Sequence, residues 1–410
     1  MTQAIEVAPR PARASDVRII GAVSAAHFTS HYYMLVLPPL FDFVRGDYGV
    51  NYTELGLALA VFNIVSATLQ TPAGFLVDRM SPRSILVGGL ALGSAAFALA
   101  GLIHSFWFFV AAYAIAGLGN TVYHPAGYAI LSRRITRARL GRAFSIYTFA
   151  GLLGSAVAPA TILLIHGAVG WRGAYVAAGA LGSLVAILLL AQGRVALDPF
   201  SSPAEPRSAE ADTTRSVGWR LLLSSPIVRN LVLFVMLSVS NAGLQNYSVV
   251  ALASAFATPV AIANTALSAL LFMSAFGVLI GGAIAARIDR HDLVASGGLA
   301  VTAVAAALVG LVDFGPMMLV VVMGVAGLLM GVIMPSRDMI VRAVTPEGSF
   351  GKVFGFVSTG FNIGGIFSPL LFGWLMDAGH PQAIFLLVAG LSLMSIPTVM
   401  ASGSRRGPTG

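Results

Sequence analysis

The chain has 410 residues, of which 57% are hydrophobic and only 10% are charged. A soluble fold of this length cannot bury so much apolar surface, so the composition excludes a soluble globular protein and indicates that the lipid bilayer is its solvent. The absence of cysteine excludes disulfide bonds, thiolate metal sites and cysteine nucleophiles.

Twelve apolar stretches are each long enough to cross a bilayer as a helix, which takes about 20 residues. They cover residues 18–43, 54–77, 84–104, 107–132, 142–166, 172–193, 227–254, 261–286, 293–313, 316–341, 351–376 and 382–402. One long polar segment falls after the sixth. The predicted fold is therefore an all-α membrane protein with twelve transmembrane helices in two six-helix bundles.

The polar segments divide the chain into domains. We expect a cytoplasmic tail at 1–17, a first bundle at 18–193, a linker at 194–226, a second bundle at 227–402 and a tail at 403–410. The first tail is not a signal peptide, because the apolar stretch after it is too long and lacks a small-residue cleavage site. The linker is a plain tether, with at most one amphipathic turn near Trp219 to Leu223.

Nearly all of the 24 basic residues lie in the tails, the linker and alternate loops, and the exceptions are Arg45, Arg172 and Arg337. Because lysine and arginine in short loops are held in the cytoplasm, both termini are expected there, in a multi-pass inner-membrane protein. The net charge of +8 then follows from topology. A nucleic-acid partner is excluded, because the charge is not gathered on one face.

The second half of the chain repeats the first at an offset of about 210 residues. Gly141 to Phe144, Gly154 and Pro159 recur as Gly351 to Phe354, Gly364 and Pro369. Two similar bundles related by a pseudo-twofold axis can rock about a site held between them. The repeat therefore indicates a transporter that works by alternating access.

The first span carries two histidines, His27 and His31, which share one helical face because they are four residues apart. Ionisable groups within a span are costly and are functional candidates by default. Pro38 and Pro39 follow and should end this helix, with some use in gating.

The turn after the second span reads Gly74-Phe75-Leu76-Val77-Asp78-Arg79-Met80-Ser81-Pro82-Arg83. It resembles the signature loop of the major facilitator superfamily, in which a glycine precedes Asp-Arg and a second basic residue. The resemblance implies a cytoplasmic charge network that latches the two halves, with Asp78, Arg79 and Arg83 as gate candidates. A plain positive-inside anchor is the alternative, although an anchor needs no acid. The second-half copy keeps Arg287 but has Ala286 in place of the acid.

Three short motifs narrow the resemblance to the fosmidomycin-resistance branch of that superfamily, whose members export drugs. They are Ser24 to His27, Gln70 to Pro72, and Tyr123 to Pro125. Where that branch commonly has acids, this chain has Ala126 and His31.

In the superfamily's fold, the first, fourth, seventh and tenth spans line a central cavity. The resemblance therefore implies ten substrate-binding candidates on these spans: His27, His31, Tyr32, Asn120, Tyr123, His124, Asn241, Gln245, Met334 and Arg337. The phenols of Tyr33, Tyr113 and Tyr247 are further candidates. A lone intramembrane histidine is usually a hydrogen-bonded packing residue, but two on one face plus His124 favour function.

His27, His31 and His124 are also the proton-coupling candidates, because histidine exchanges a proton near neutral pH. A histidine pair also suggests a metal site. Without acids or cysteines nearby, however, a metal would lack further ligands, so no metal and no cofactor are expected.

Arg337 is followed by Asp338, and helical neighbours point about 100 degrees apart, so the two need not pair. One interpretation is that Arg337 binds substrate. The other is that it reaches toward the cytoplasmic interface while Asp338 binds Arg142 or Arg342 within the inner gate.

An interior with histidines and an arginine but few carboxylates suits an anionic or neutral polar solute, and carboxylates or phosphonates fit best. The chain is therefore interpreted as a secondary transporter of a small organic anion, coupled to protons and monomeric. Two alternatives are a proton-driven multidrug or antibiotic exporter and a membrane sensor that has kept the fold without flux. An enzyme is not expected, because no nucleophile constellation or phosphate loop occurs.

Overall fold

A computed structural model of the chain describes residues 12–192, 219–346 and 350–403. These residues are almost entirely helical and include no strand. Most of the predicted linker, 194–226, lies outside the described residues, as do both ends of the chain.

The first half contains six spans. The first is Ala12–Met34, the second Tyr52–Arg79 and the third Pro82–Leu102. The fourth consists of two consecutive helices, Phe106–Asn120 and Tyr123–Arg134. The fifth and sixth spans form the continuous helical segment Arg137–Ala191, which is broken at Gly170 by non-helical angles of φ 75° and ψ 171°. A positive φ of this kind favours glycine, because glycine has no Cβ to clash with the backbone.

The second half begins with a short helix, Trp219–Leu222, at the place where an amphipathic turn was predicted. The seventh span is Ser225–Ala242 followed by a π-helical turn, Gly243–Tyr247, and the helix Ser248–Phe256. The eighth to twelfth spans are Val260–Ala285, His291–Leu311, Pro316–Ala343, Phe350–Asp377 and Pro381–Gly403.

The twelve-helix prediction is confirmed. Ten helices of the described part are long and apolar enough to cross a membrane, and one of them, Arg139–Ala191, holds two spans. The first span is not among these ten helices and brings the total to twelve. It begins at Ala12, before the predicted apolar stretch. Its charged first turns are held by an ion pair in which Arg139 Nη1 lies 2.7 Å from Asp16 Oδ2.

The proline pair ends the first span as predicted. The α-helix stops at Met34, and Pro38–Leu40 form a 3-10 helix that leads into the helix Phe41–Tyr48. Proline has no backbone N–H to continue the ladder, so the chain turns here.

The sequence repeat corresponds to repeated packing. A Cβ on Gly154, in the fifth span, would lie 2.2 Å from the backbone oxygen of Phe28 in the first span. A Cβ on Gly364, in the eleventh span, would lie 2.5 Å from Cβ of Ser238 in the seventh. The two glycines occupy repeat-equivalent positions and allow the same pair of spans to approach closely in each bundle.

The spans run between two sides of the molecule. We call the side with Arg79, Arg83 and residues 192 and 219 the basic side, and the side with Arg172 and Asp377 the opposite side. Hydrogen bonds join the halves in the middle, from Asn63 Nδ2 to Gly365 O (2.8 Å), and nearer the opposite side, from Asn264 Nδ2 to Pro159 O (2.8 Å).

Candidate functional site

A cavity of about 230 Å³ lies between the two bundles. Its wall is mostly apolar, with serine, threonine and carboxamide groups among the aliphatic side chains. Five of the ten predicted substrate-binding residues line it: His31, Asn241, Gln245, Met334 and Arg337. His31 and Asn241 are repeat-equivalent, so the two bundles contribute matching positions of the first and seventh spans.

Arg337 is the one guanidinium in the lining of this cavity, and the lining residues include no carboxylate. The Arg337 side chain is buried, with only 10% of it exposed, and Cζ lies 4.5 Å from the ring centre of Phe234 and 5.0 Å from that of Phe361. A cation held between two aromatic faces is stabilised by their quadrupoles. The two rings therefore fix the position of the charge at the cavity wall.

Arg337 also pairs with its neighbour, which the sequence interpretation did not expect. Its Nε and Nη2 donate to Asp338 Oδ1 over 2.9 and 2.7 Å. The long arginine side chain bends across the angle between adjacent helical positions, so the two pair although helical spacing does not require it. In the described residues Asp338 binds Arg337, not Arg142 or Arg342.

The three predicted histidines come together beside the cavity. Their ligand nitrogens all lie within 4.8 Å of one another. The ring centres are 4.6 Å apart for His27 and His31, and 4.9 Å apart for His27 and His124. Gly151 leaves room for them, because a Cβ there would lie 2.6 Å from His27 Cε1 and 3.0 Å from His31 Cδ2. We call these residues the histidine cluster.

Hydrogen bonds orient two members of the histidine cluster. His27 Nδ1 lies 2.7 Å from the backbone oxygen of Tyr147, so it carries the proton that this carbonyl accepts, and the His27 ring stacks on the Tyr147 ring. His27 Nε2 is then the acceptor atom in the neutral ring, and it is buried without a hydrogen-bond partner. His31 Nδ1 lies 3.2 Å from Ser155 Oγ.

The histidine cluster has more nitrogen donors than the pair considered from the sequence. Zinc in open sites accepts three protein ligands and one water. The cluster contains no carboxylate, however, so the two positive charges of such an ion would stay uncompensated inside a span. The three nitrogens could reach one ion, but the cluster supplies no negative charge to balance a divalent cation.

The other five predicted binding residues do not line this cavity. His27 and His124 lie behind His31 in the histidine cluster. Tyr32 is buried, with its hydroxyl 2.9 Å from Thr161 Oγ1. Asn120 Nδ2 donates to Ser66 Oγ over 3.4 Å, and Tyr123 is packed inside the first bundle.

Sequence reasoning missed a second cavity of about 260 Å³, which shares five lining residues with the first: Met34, Leu35, Asn241, Gln245 and Phe361. Its wall includes the unpredicted carboxamides Asn63, Asn246 and Asn362. The rule that identified the histidines also applies to them, because a polar side chain inside an apolar span is costly and is therefore a functional candidate. Tyr33 and Tyr113 also line this cavity, as suggested.

No ion pair joins the predicted gate residues whose side chains the structure describes, which are Arg79, Arg83, Arg142 and Asp338. Arg83 is buried and donates through Nη2 to the backbone oxygens of Leu189 and Leu190, over 3.2 and 2.8 Å, at the end of the sixth span. Arg79 and Arg142 are exposed, and the Asp78 side chain lies outside the described part of the structure. A cleft of about 370 Å³ separates the fifth span from the eighth near Ser145 and Gly282, and it reaches the central cavity at Leu152.

Known proteins share both the sequence pattern and the fold. The sequence profile of the Major Facilitator Superfamily matches residues 23–250 and 233–408. The fosmidomycin resistance protein of Escherichia coli K12 is 24% identical over 399 residues, which is 94% of this chain and 93% of that protein.

Two further relatives match over a shorter range. The probable L-galactonate transporter of Escherichia coli K12 is 31% identical over 144 residues, or 35% of this chain. The probable sulfoacetate transporter SauU of Cupriavidus necator H16 is 25% identical over 162 residues, or 40% of this chain. The matches span 32% and 38% of those proteins' own lengths.

Solved transporters superpose on nearly the whole chain. A bacterial homologue of the human lysosomal transporter Spinster, inward-facing and unoccupied, gives a TM-score of 0.79 at 15% identity and covers 97% of this chain and 100% of its own. A mutant of the nucleoside transporter NupG gives 0.77 at 14% identity and covers 95% and 99%. Since the family profile matches most of the sequence and these structures share its twelve-helix fold, the chain belongs to the major facilitator superfamily of multi-pass membrane transporters.

Proposed function

We propose that this transporter is a secondary carrier that moves a small organic anion across the inner membrane by alternating access and couples the movement to protons. One observation is the main support for an anionic substrate. The cavity between the halves has the Arg337 guanidinium in its wall and no carboxylate in its lining.

The guanidinium is arranged to accept an anion. Asp338 engages Nε and Nη2 of Arg337 and leaves the two N–H groups of Nη1 for another partner. A planar guanidinium binds a carboxylate or phosphonate through parallel hydrogen bonds, and it does so most strongly where water is excluded. An organic cation would find no carboxylate in the lining to balance its charge, and the nearby Asp338 is already paired with Arg337.

The relatives support an anionic substrate. L-galactonate and sulfoacetate, after which two of them are named, are organic anions. The basic loops support an orientation with both termini in the cytoplasm, by the positive-inside rule.

The histidine cluster supports proton coupling. His31 is the member that reaches the cavity, and His27 and His124 lie behind it at ring distances that permit transfer through small rotations. The unpartnered Nε2 of His27 is a buried acceptor within the cluster. One proton held here would add positive charge beside the cavity, so proton and anion would favour each other's binding and move together.

A second function, proton-driven export of a drug or antibiotic, is favoured by one observation. The relative similar over almost the whole chain is a fosmidomycin resistance protein. The largely apolar wall of the cavity also suits a drug-sized ligand.

A ligand screen on the purified protein separates the two functions. We expect small carboxylates, sulfonates and phosphonates to raise the thermal midpoint, because a ligand that binds the folded state stabilises it by mass action. Arg337→Gln should abolish that shift, whereas Arg342→Gln, which removes the same charge from an exposed site on the same span, should keep it. Stabilisation by cationic or neutral drugs alone would exclude the anion carrier.

Proton coupling is tested in proteoliposomes that contain a pH-sensitive dye. We expect an inward gradient of the stabilising anion to acidify the lumen, and His31→Gln to abolish the dye signal while labelled anion still equilibrates. His166→Gln, which alters a histidine of the fifth span outside the cluster, is the matched control. Unchanged acidification in His31→Gln would place coupling elsewhere.

A further inference from the structure

The second cavity is lined by five carboxamide side chains, which we call the amide cluster: Asn63, Asn241, Gln245, Asn246 and Asn362. The lining of this cavity includes no charged residue. Carboxamides inside a membrane protein are costly unless they are paired, so five around one space need an explanation.

Some groups of the amide cluster form hydrogen bonds within the protein, and these bonds fix their positions. Gln245 Nε2 donates to Asn241 Oδ1 over 2.8 Å, across the π-helical turn of the seventh span. Asn63 Nδ2 donates to the backbone oxygens of Leu59 and Gly365 over 2.9 and 2.8 Å. These bonds leave the oxygens of Gln245 and Asn63 and the amide nitrogen of Asn241 available.

The remaining two members of the amide cluster make no hydrogen bond within the described part of the chain. Asn246 is partly exposed and Asn362 is exposed, and both side chains line the cavity. Each carboxamide offers two N–H donors and one oxygen acceptor. The cluster thus presents donors and acceptors side by side but carries no net charge.

Hydroxyl groups match this surface. A hydroxyl both donates and accepts, so a row of hydroxyls satisfies neighbouring carboxamide N–H and C=O groups together. An aliphatic ligand in the same place would take water from the amides and leave them unpaired, which is costly.

The two cavities adjoin each other. Both are lined by Asn241, Gln245 and Phe361, and the Phe361 ring contacts the Arg337 guanidinium. We propose that the substrate is a polyhydroxylated carboxylate, that is, a sugar acid, with its carboxylate at Arg337 and its hydroxyls at the amide cluster. This inference rests on the proposed transport of an organic anion and adds the chemical class of the rest of the molecule.

Three six-carbon ligands measure separately what the carboxylate and the hydroxyls contribute to binding. Isothermal titration calorimetry of the full-length protein in detergent would compare galactonate, hexanoate, which has the carboxylate without hydroxyls, and galactitol, which has the hydroxyls without a carboxylate. We expect galactonate to bind at least about tenfold more tightly than either, since buried polar groups discriminate strongly against a ligand that lacks their partner.

Substitutions in the amide cluster then test whether its carboxamides bind the hydroxyls. Asn246→Leu and Asn362→Leu should each weaken galactonate binding about tenfold and leave hexanoate binding unchanged. Gln70→Leu removes a carboxamide from an exposed position of the second span outside the cavity and should leave both affinities unchanged.

The outcomes distinguish this inference from the proposed function. Equal affinity for galactonate and hexanoate would overturn the hydroxyl subsite while the anion carrier stands. Galactitol binding as tightly as galactonate, with no loss in Arg337→Gln, would instead overturn the anion carrier. The comparison of probes on the unaltered protein remains decisive even if a variant fails to fold.

Discussion

The carboxylate of Asp377, at the end of the eleventh span, caps the helix that begins at Tyr52 in the other half of the protein. Asp377 Oδ1 accepts from the Tyr52 backbone N–H and Oδ2 from that of Thr53, both over 2.9 Å. The Thr53 hydroxyl donates to the same carboxylate. An anion at a helix N-terminus is stabilised by the free N–H groups and the dipole, so this contact holds the halves together on the opposite side.

Removing this cap should loosen the opposite side. Asp377→Ala loses all three hydrogen bonds, and losing a helix cap costs about 1 kcal/mol, which corresponds to about a fivefold shift toward conformations with the opposite side apart. Spin labels on Gly46→Cys and His380→Cys would report the distance between the halves by electron–electron double resonance. The natural chain has no cysteine, so no background labelling arises.

Asp313→Ala is the matched control for the cap, because it removes another acid from the same side of the second half. Its distance distribution should equal that of the unaltered protein. An unchanged distribution in Asp377→Ala would show that the cap does not hold the halves together.

Arg337→Lys should behave as a loss of function although it keeps the charge. The ammonium cannot reproduce the stacking on Phe234 and Phe361, nor the planar fork for a carboxylate. We expect the Kd of the stabilising anion to rise at least about tenfold. Calorimetric titration of both proteins measures it, with Arg342→Lys as the control, and equal affinities in Arg337→Lys would mean that positive charge alone suffices.

Gly154→Ala should destabilise the first bundle. The added Cβ would meet backbone of the first span at 2.2 Å, which side-chain rotation cannot relieve, and overpacking of this kind costs about 1–3 kcal/mol. Gly141→Ala, in the same helical segment, meets nothing within 4 Å and should leave the thermal midpoint unchanged or raise it slightly. Equal midpoints for the two variants would contradict the close contact between the first and fifth spans.

Substitutions of Arg83 and Arg79 should have different effects: the first should lower stability and the second should affect gating. Arg83→Gln breaks two hydrogen bonds from a buried charged group to the sixth span, with an expected loss of about 2 kcal/mol and a lower thermal midpoint. Arg79 is exposed, so Arg79→Gln should keep the midpoint and, if the latch forms in another conformation, slow transport. A lower midpoint in Arg79→Gln with none in Arg83→Gln would reverse these roles.

The fold was predictable because the bilayer constrains it. Spans must be long, apolar and helical, so their number and the Pro38-Pro39 stop could be inferred from the residues alone. The predicted gap between the fifth and sixth spans, residues 167–171, contains the observed break at Gly170. The turn there depends on one glycine conformation at Gly170 and on few polar residues, so the helical segment continues on both sides of it.

The site was predictable only in part. Helical spacing correctly brings His27 and His31 together, but it cannot show that only His31 reaches the cavity, because that depends on the rotation of the first span against the fifth. Asn63 and Asn362 were missed because the second and eleventh spans were not expected to line the cavity. The bond between Arg337 and Asp338 depends on side-chain rotamers, which spacing does not determine.

The π-helical turn Gly243–Tyr247 contains one residue more than an α-helical turn would hold, which is equivalent to a single inserted amino acid. A deletion of one residue within it would restore the α-helix and rotate the span on one side of the turn by about 100 degrees relative to the other. Asn241, which precedes the turn, and the helix Ser248–Phe256, which follows it, would then present different faces relative to each other. The length of this segment, as well as its amino-acid composition, therefore determines which residues of the seventh span face the cavity.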